Sequence, residues 1–300
     1  MSTRFLGPCV ALALLLGAAG ASAQPTDSKS SQSIAALKKQ AATDNAASER
    51  ALGAAYESQK ALDFAQAAIW YRKAAELGNA VAQNSLGDLY FDGLGLPLDY
   101  SQAAGWYRKA AEQGNAEAQF NLGLLYDKGQ GVPQDYAQAA IWYRKAAEQG
   151  SAAAQLNLGS LYNQGRGVPQ DYAQAAQWYR KAAEQGFKEA QCNLGVMYEE
   201  GRGLPQDYAR ADIWYRKAAE QGYAEAQANL GLAYGKGHGV PQDYAEAYFW
   251  LDIALSGQLP ERADAEKLRD AAASLLTPAK LSRVQQRAQK WFEEHPAKPQ

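Results

Sequence analysis

The sequence predicts an all-α solenoid, a stack of similar helix-turn-helix units. Six tryptophans, from Trp70 to Trp250, follow one another at a constant step of 36 residues. The residues around each tryptophan recur with it, and each copy holds two segments of helical periodicity separated by a glycine-rich turn. Because a unit of this size cannot bury its own apolar face, it must stack on further copies. We therefore expect an extended array of repeats.

Residues 1–23 have the pattern of a cleavable secretory signal. Arg4 precedes the apolar stretch 10–16, and the small residues Ala21, Ser22 and Ala23 form a cleavage site. The apolar stretch is shorter than the ~20 residues that span a bilayer, so an uncleaved anchor is the less favoured alternative. We expect an exported protein, periplasmic or secreted, without stable membrane insertion after cleavage.

The composition of the mature chain excludes several classes of partner. Removal of 1–23 deletes one basic residue from a total of 30 basic and 32 acidic residues, which leaves a net charge of about −3. This balance predicts no affinity for nucleic acid.

Cys192 is the one remaining cysteine, so no disulfide forms within the mature chain. Residues 24–44 are rich in serine and glutamine at their start and predict a flexible leader that is partly helical.

The copy at 115–150 shows how each unit is built. Asn115 is the predicted N-cap of a first helix, here helix A. The glycines and proline of 129–133 predict a turn, and Asp135 is placed to cap a second helix, here helix B. Gly150 ends helix B as a C′ residue.

A glycine in the middle of helix A is the least expected feature of the unit. Gly123 costs about 1 kcal/mol relative to alanine in a helix, yet every copy keeps a glycine there. We infer that helix B of the same unit approaches too closely for a side chain. Trp142, with Ala139 and Ala146 on the same helical face, is predicted to lie in the core. The other glycines of this set are Gly53, Gly87, Gly159, Gly195 and Gly231.

The repeat resembles the Sel1-like repeat family, a branch of the tetratricopeptide superfamily. The resemblance rests on Leu122, Gly123, Tyr126, 129–133, Asp135, Tyr136, Ala139, Trp142, Ala146, Ala147 and Gly150. It implies a right-handed superhelix of antiparallel helix pairs in which helix A lines a concave groove. Six repeats are expected over 45–258. The first is a 34-residue unit of ordinary tetratricopeptide type, and the others are 79–114, 115–150, 151–186, 187–222 and 223–258.

The residues after the last repeat predict capping helices over 259–295. One helix is expected from about Glu261 to Leu276, and a second starts with Thr277 as N-cap and proline at the first helical position. Its apolar stripe consists of Leu281, Val284, Ala288 and Trp291. Terminal repeats need such cover to remain soluble. Residues 296–300 are expected to be disordered.

The candidate binding residues are helix A positions that vary between copies and are therefore free of the scaffold's requirements. By the geometry that the resemblance implies, these residues are exposed in the groove. They are Glu117, Phe120, Leu124, Asp127, Lys128, Leu156, Ser160, Asn163, Glu189, Cys192, Val196, Glu199 and Leu232. Apolar side chains among carboxylates favour a groove for a protein or peptide partner. The alternative is that these residues support neighbouring helices, because periodicity does not separate the two faces.

The sequence shows no catalytic constellation, so we expect a non-enzymatic adaptor without a metal or cofactor. His238 in a turn and His295 near the end have no second ligand in view. Asp135 and its equivalents are explained as helix caps. The resemblance implies roles in bacterial envelope regulation, envelope assembly or host interaction.

Two other functions remain open at this point. Some cysteine-rich relatives suggest a cell-wall enzyme or a protein that binds β-lactam or peptidoglycan, although the chain lacks the Ser-x-x-Lys and Lys-Thr-Gly motifs. A purely structural organiser of envelope complexes would differ from an adaptor only in the lifetime of its complexes.

Overall fold

A computed structural model of the 300-residue chain describes residues 46–57 and 63–295. The predicted signal 1–23, the leader 24–44 and the tail 296–300 lie outside the described residues. Within the described ranges the chain forms fourteen helices and no strand. Most consecutive helices pack against each other in chain order, and this confirms an all-α repeat solenoid.

The helices form pairs that follow the predicted repeats, with two further helices at the end. The helix A and helix B pairs are α1 Ala46–Glu57 and α2 Phe64–Glu76, α3 Ala80–Asp92 and α4 Tyr100–Glu112, α5 Ala116–Lys128 and α6 Tyr136–Glu148, α7 Ala152–Gln164 and α8 Tyr172–Glu184, α9 Lys188–Glu200 and α10 Tyr208–Glu220, and α11 Ala224–Lys236 and α12 Tyr244–Ala254. The last two helices are α13 Arg262–Ser274 and α14 Pro278–Glu294.

The described residues divide into two compact units. The N-terminal unit contains 46–57, 63–154 and 165–169. The C-terminal unit contains 155–164 and 170–295. Each unit has its own buried alanine, leucine and tyrosine side chains, so each is described by itself below.

The predicted caps and turn are confirmed. Asn115 Oδ1 accepts a hydrogen bond of 2.8 Å from the Ala118 backbone N–H, and Asp135 Oδ1 accepts two from the first turn of α6. Gly131 has a φ of +69°, and a Cβ there would lie 2.2 Å from the Tyr100 carbonyl carbon. The turn of each repeat from the second onwards therefore rests on the start of helix B of the repeat before it, and only glycine allows this approach.

The predicted contact of the mid-helix glycine is also confirmed. A Cβ on Gly123 would lie 2.7 Å from Cδ1 of Tyr143, which lies on helix B of the same repeat. The same glycine and tyrosine meet in the pairs Gly53 and Tyr71, Gly87 and Tyr107, Gly159 and Tyr179, and Gly195 and Tyr215. In the sixth repeat Leu251 replaces the tyrosine against Gly231. The tyrosine ring thus fills the space that a side chain on helix A would need.

The prediction that Trp142 lies in the core is confirmed, although its equivalents differ in depth and several lie at the edge of the core. Tyr143 is fully buried, whereas the preceding Trp142 is at the limit of burial and the equivalent Trp70 and Trp106 are only half-buried. In each of the first five repeats a lysine three residues later covers the indole. For Trp142 the Lys145 ammonium lies 4.0 Å from the ring centroid. This cation–π contact shields a ring that the repeat does not fully enclose.

A buried glutamine joins four of the repeats to their predecessors, a feature that the sequence interpretation missed. Gln119 on α5 donates a hydrogen bond of 3.1 Å to the Ala111 carbonyl at the end of α4. Its own side-chain oxygen accepts a bond of 2.8 Å from Gln149, which follows α6. Gln83 and Gln191 make both of these hydrogen bonds in their own repeats. Gln227 makes the first of them, the bond to the end of the preceding helix B. The chain of amides satisfies polar groups inside the stack.

The capping helices are confirmed. Thr277 Oγ1 accepts a hydrogen bond from the Lys280 backbone N–H, and Pro278 is the first residue of α14. Val284 and Ala288 of the predicted stripe are buried, and the Trp291 ring packs at 5.9 Å from the ring of Trp250. Helix α13 contributes Ala265 and Leu268 to the cluster that covers the last repeat.

The contact between glycine and tyrosine predicts the effect of Gly123→Ala. We expect the substitution to lower the free energy of unfolding by about 1–3 kcal/mol, because the added methyl group overlaps the Tyr143 ring. Chemical denaturation followed by circular dichroism measures this change.

Gly105→Ala is the matched control, since Gly105 also lies inside a helix but has open space around it. There we expect a gain of up to about 1 kcal/mol from helix propensity. Equal effects of the two substitutions would contradict the role assigned to the close contact.

Candidate functional site

In the N-terminal unit, four of the predicted groove residues remain accessible. Glu117 is exposed, and Phe120, Leu124 and Lys128 are half-buried on the same helix, α5. The Phe120 ring lies 5.8 Å from the ring of Tyr143 and is therefore supported from the core side. These side chains form a surface strip, here the α5 strip, of one carboxylate, two apolar groups and one ammonium.

Four predicted groove residues are buried, so their expected exposure was wrong. Cys192 has no accessible surface and Leu156 is 2% exposed, while Val196 and Leu232 are each 8% exposed. Helix A of the following repeat packs beside Cys192, whose Sγ lies 3.9 Å from Asn229 Nδ2. Leu232 joins the cluster that α13 covers. Variation between copies at these positions therefore does not mark an exposed surface.

Two predicted carboxylates serve the scaffold. Glu199 Oε2 accepts a hydrogen bond of 2.6 Å from the Tyr215 hydroxyl, and Asp127, which is buried, accepts a long one of 3.4 Å from Tyr143. Glu57 holds Tyr71 in the same way in the first repeat. The expected exposure of Asp127 in an open groove was therefore wrong. Asp127 lies in the interior because the hydroxyl of the buried Tyr143 needs a hydrogen-bond acceptor.

The remaining predicted residues of the C-terminal unit are half-buried. They are Ser160, Asn163 and Glu189. Asn163 and Val196 border a cavity of about 20 Å³ together with Tyr179, Asn193, Met197, Glu200 and Arg202. Such a volume holds about one water molecule and is too small for a cofactor or a peptide side chain.

Asp88 is the most perturbed acidic group of the N-terminal unit, and sequence reasoning missed it. Its carboxylate accepts hydrogen bonds from the Tyr107 hydroxyl at 2.7 Å, from Asn84 at 3.1 Å and from Asn121 at 3.2 Å. Burial raises the pKa of Asp88 to about 7. A signal was present in the sequence, because Phe91 occupies the position where other repeats carry the acceptor for the tyrosine, and Asp88 supplies it instead.

The surroundings of Asp88 are negatively charged. Glu117, Asp92 and Glu57 are close enough to raise its pKa further, after burial. Partial desolvation of the carboxyl groups also raises the pKa of Asp92 and of Glu117 above their ordinary values, although both residues keep accessible surface. The face that carries the α5 strip therefore combines apolar side chains with closely spaced carboxyl groups.

A second accessible surface lies on helix B of the first repeat. Ile69 is 49% exposed there, and it borders a shallow depression of about 270 Å³. The lining residues are Ala65, Ala68, Ile69, Arg72, Lys73, Glu76 and Leu96. This surface offers a comparison for the α5 strip because it is also apolar with a charged rim.

Over residues 46–57 and 63–295, no group of three or more histidine, cysteine or acidic side chains is arranged to hold a metal ion. Among the helices of these ranges, none has the length and apolar character that a bilayer crossing requires.

The packed helix pairs and their recurrent contacts define an α-solenoid repeat protein. The Sel1 repeat model matches six consecutive segments, namely 46–79, 80–115, 116–151, 152–187, 188–223 and 224–257. The chain belongs to the Sel1 repeat family. The first copy is included in this match, which corrects its interpretation as an ordinary tetratricopeptide unit.

Two solved structures are similar to the chain. One is a protective antigen present in uropathogenic Escherichia coli strains, which displays an SLR fold, with a TM-score of 0.77 and 36% identity over 87% of this chain and 56% of that one. The other is a Sel1 repeat protein from Oxalobacter formigenes, with a TM-score of 0.67 and 36% identity over 84% of this chain and 99% of that one. The chain thus spans little more than half of the Escherichia coli structure. A comparison with curated proteins gives no match.

The difference in burial between Leu124 and Leu156 predicts unequal effects of the same substitution. Leu156→Ser should lower the free energy of unfolding by about 3–5 kcal/mol, since it leaves a cavity and buries a hydroxyl group. Leu124→Ser should cost less than about 1.5 kcal/mol, because Leu124 already contacts solvent.

Urea denaturation of both variants measures the two changes. A loss at Leu156 no larger than that at Leu124 would contradict the assignment of Leu156 to the packed interior.

Proposed function

We propose that the protein is an exported, non-enzymatic adaptor that binds a protein or peptide partner through helix A side chains, with the α5 strip as the centre of the site. Sel1 repeats form a scaffold for protein interaction, and the family membership of the chain supports this class of function. The partner contacts Phe120 and Leu124 and meets carboxyl groups at the edge of the strip.

The observation that carries the proposal is the accessibility of residues that the scaffold does not need. The constant residues of the unit are used in packing, as the glycine, tyrosine and glutamine contacts show. Phe120 differs from its equivalents in the other repeats, and the Leu124 position carries leucine again only in the sixth repeat. Both side chains remain half-exposed on one helix. Apolar side chains at this spacing, four residues apart, form adjacent anchors for a partner.

The packing of the scaffold also favours binding. Phe120 rests on Tyr143, and α5 is held at its N-terminal end by the Asn115 cap and by the Gln119 bonds. A preorganised surface loses little conformational entropy when a partner binds, so more of the contact energy appears as affinity.

Export is proposed from the signal-like residues 1–23. The similar Escherichia coli protein is a protective antigen, which fits a protein that leaves the cytoplasm. The proposed location is the periplasm or the cell exterior.

The binding role predicts the effect of a double substitution in the α5 strip, Phe120→Ser with Leu124→Ser. We expect the affinity for the partner to fall at least tenfold, because both apolar anchors are lost. The partner is first identified by affinity capture from a bacterial envelope, and its binding is then measured with purified proteins by calorimetry.

Ile69→Ser is the matched control, since it removes an exposed apolar side chain from helix B of the first repeat. We expect it to leave the affinity unchanged. Circular dichroism of all variants confirms equal helix content. A partner that binds the double variant as tightly as the unchanged protein would reject the α5 strip, and a loss in Ile69→Ser alone would move the site to helix B.

Export predicts cleavage after Ala23. When the full chain is expressed in a Gram-negative bacterium, we expect the periplasmic or extracellular protein to begin at Gln24, as measured by N-terminal sequencing. Protein that stays in the cytoplasm with residues 1–23 attached would contradict export.

A further inference from the structure

Asp212 breaks the repeat pattern at a buried position. The equivalent residue of helix B is alanine in the first four repeats, namely Ala68, Ala104, Ala140 and Ala176. All four alanines are buried, and Asp212 is only 5% exposed. The fifth repeat therefore places a carboxyl group where the scaffold otherwise uses a methyl group.

This carboxyl lies at the joint between the fifth and sixth repeats. A Cβ on Gly239 would lie 2.6 Å from Asp212 Oδ2, so the oxygen packs directly against the turn at 237–243. Among the described residues, Oδ2 has no hydrogen-bond partner. A buried carboxylate oxygen without a donor is costly, whereas the protonated carboxyl is tolerated.

The charged groups around Asp212 do not neutralise it. Helix α9 contributes Glu199, which adds a second negative charge. Helix α10 contributes Arg216, whose guanidinium donates to the Tyr234 hydroxyl at 2.6 Å. The turn contributes His238, whose ring centroid lies 4.6 Å from that of the Tyr208 ring. Burial raises the pKa of Asp212 to about 7, Glu199 raises it further and Arg216 lowers it.

We propose that Asp212 makes the packing of the 237–243 turn on helix B of the fifth repeat dependent on pH. With the carboxyl protonated, the turn is seated on α10. With the carboxyl ionised, the buried charge favours local opening, which brings water to the oxygen. This property is independent of the proposed binding role of the α5 strip.

The direction of the effect follows from the two pKa values. The pKa of Asp212 is higher in the closed joint than in an open one, where it returns to its ordinary value of 3.8. The closed joint therefore binds the proton more tightly, and its stability is greatest below pH 4 and declines as the pH rises to 7 and above. Between pH 5 and pH 8 the opening equilibrium should increase by up to about 100-fold.

Hydrogen exchange of the mature chain, read by mass spectrometry at pH 5 and pH 8, tests the proposal. After correction for intrinsic exchange rates, we expect the protection of amides in 237–243 to fall by up to about 100-fold at pH 8. Asp212→Ala restores the residue of four other repeats and should remove this dependence. Protection that is equal at both pH values, or a dependence that persists in Asp212→Ala, would overturn the proposal.

Asp88→Asn provides the matched control. It removes another carboxyl group with a pKa of about 7, which lies in the N-terminal unit. We expect the response of 237–243 to persist in this variant. A response that disappears in Asp88→Asn would show that it reflects unfolding of the whole chain, and the local role of Asp212 would be rejected.

Discussion

The close approach of helix A to helix B at each glycine is the constraint on which the other contacts depend. Once Gly123 lets the Tyr143 ring pack closely against helix A, the tyrosine hydroxyl lies in the interior and requires an acceptor. Helix A supplies a carboxylate for this purpose, as in the bond from Tyr215 to Glu199. Acidic residues that differ in position from copy to copy are thus a consequence of one steric contact.

The same constraint explains why the charge on the helix A face is uneven. In the second repeat Phe91 replaces the usual acceptor, and Asp88 takes over one turn earlier. The shifted carboxyl is buried and lies near other acidic groups, so its pKa is raised and its proton is held more tightly. A local exchange of two side chains has therefore changed the electrostatics of a wider surface.

The elements and their ends were predictable from sequence because their signals are local. Asn115, Asp135 and the turn glycines act within a few residues of themselves, and the recurrence of Gly123 pointed to a contact without a side chain. Depth within the core was not predictable in the same way. Tryptophan and tyrosine are adjacent and recur together, so their period is identical, and only the structure shows that the tyrosine lies deeper.

The candidate site was predictable only in part for a related reason. Variation between copies identifies positions that are free of the common scaffold, but some of the variable positions are buried. Cys192 beside Asn229 and Leu232 under α13 are such positions. Phe120 and Leu124 stay accessible although they occupy the same helix A positions as buried residues of other repeats. Sequence periodicity therefore does not distinguish the accessible residues from the buried ones.

The glutamine hydrogen bonds join successive repeats through the same pair of polar groups. Gln119 presents the same donor to the preceding repeat, and receives the same amide from Gln149, as its counterparts do elsewhere. A block of one period that was duplicated or deleted in the gene would meet matching hydrogen-bond groups at both new junctions. Evolution can therefore lengthen or shorten such a protein by whole repeats. The length of its binding surface can then match a different partner without a new type of contact between repeats.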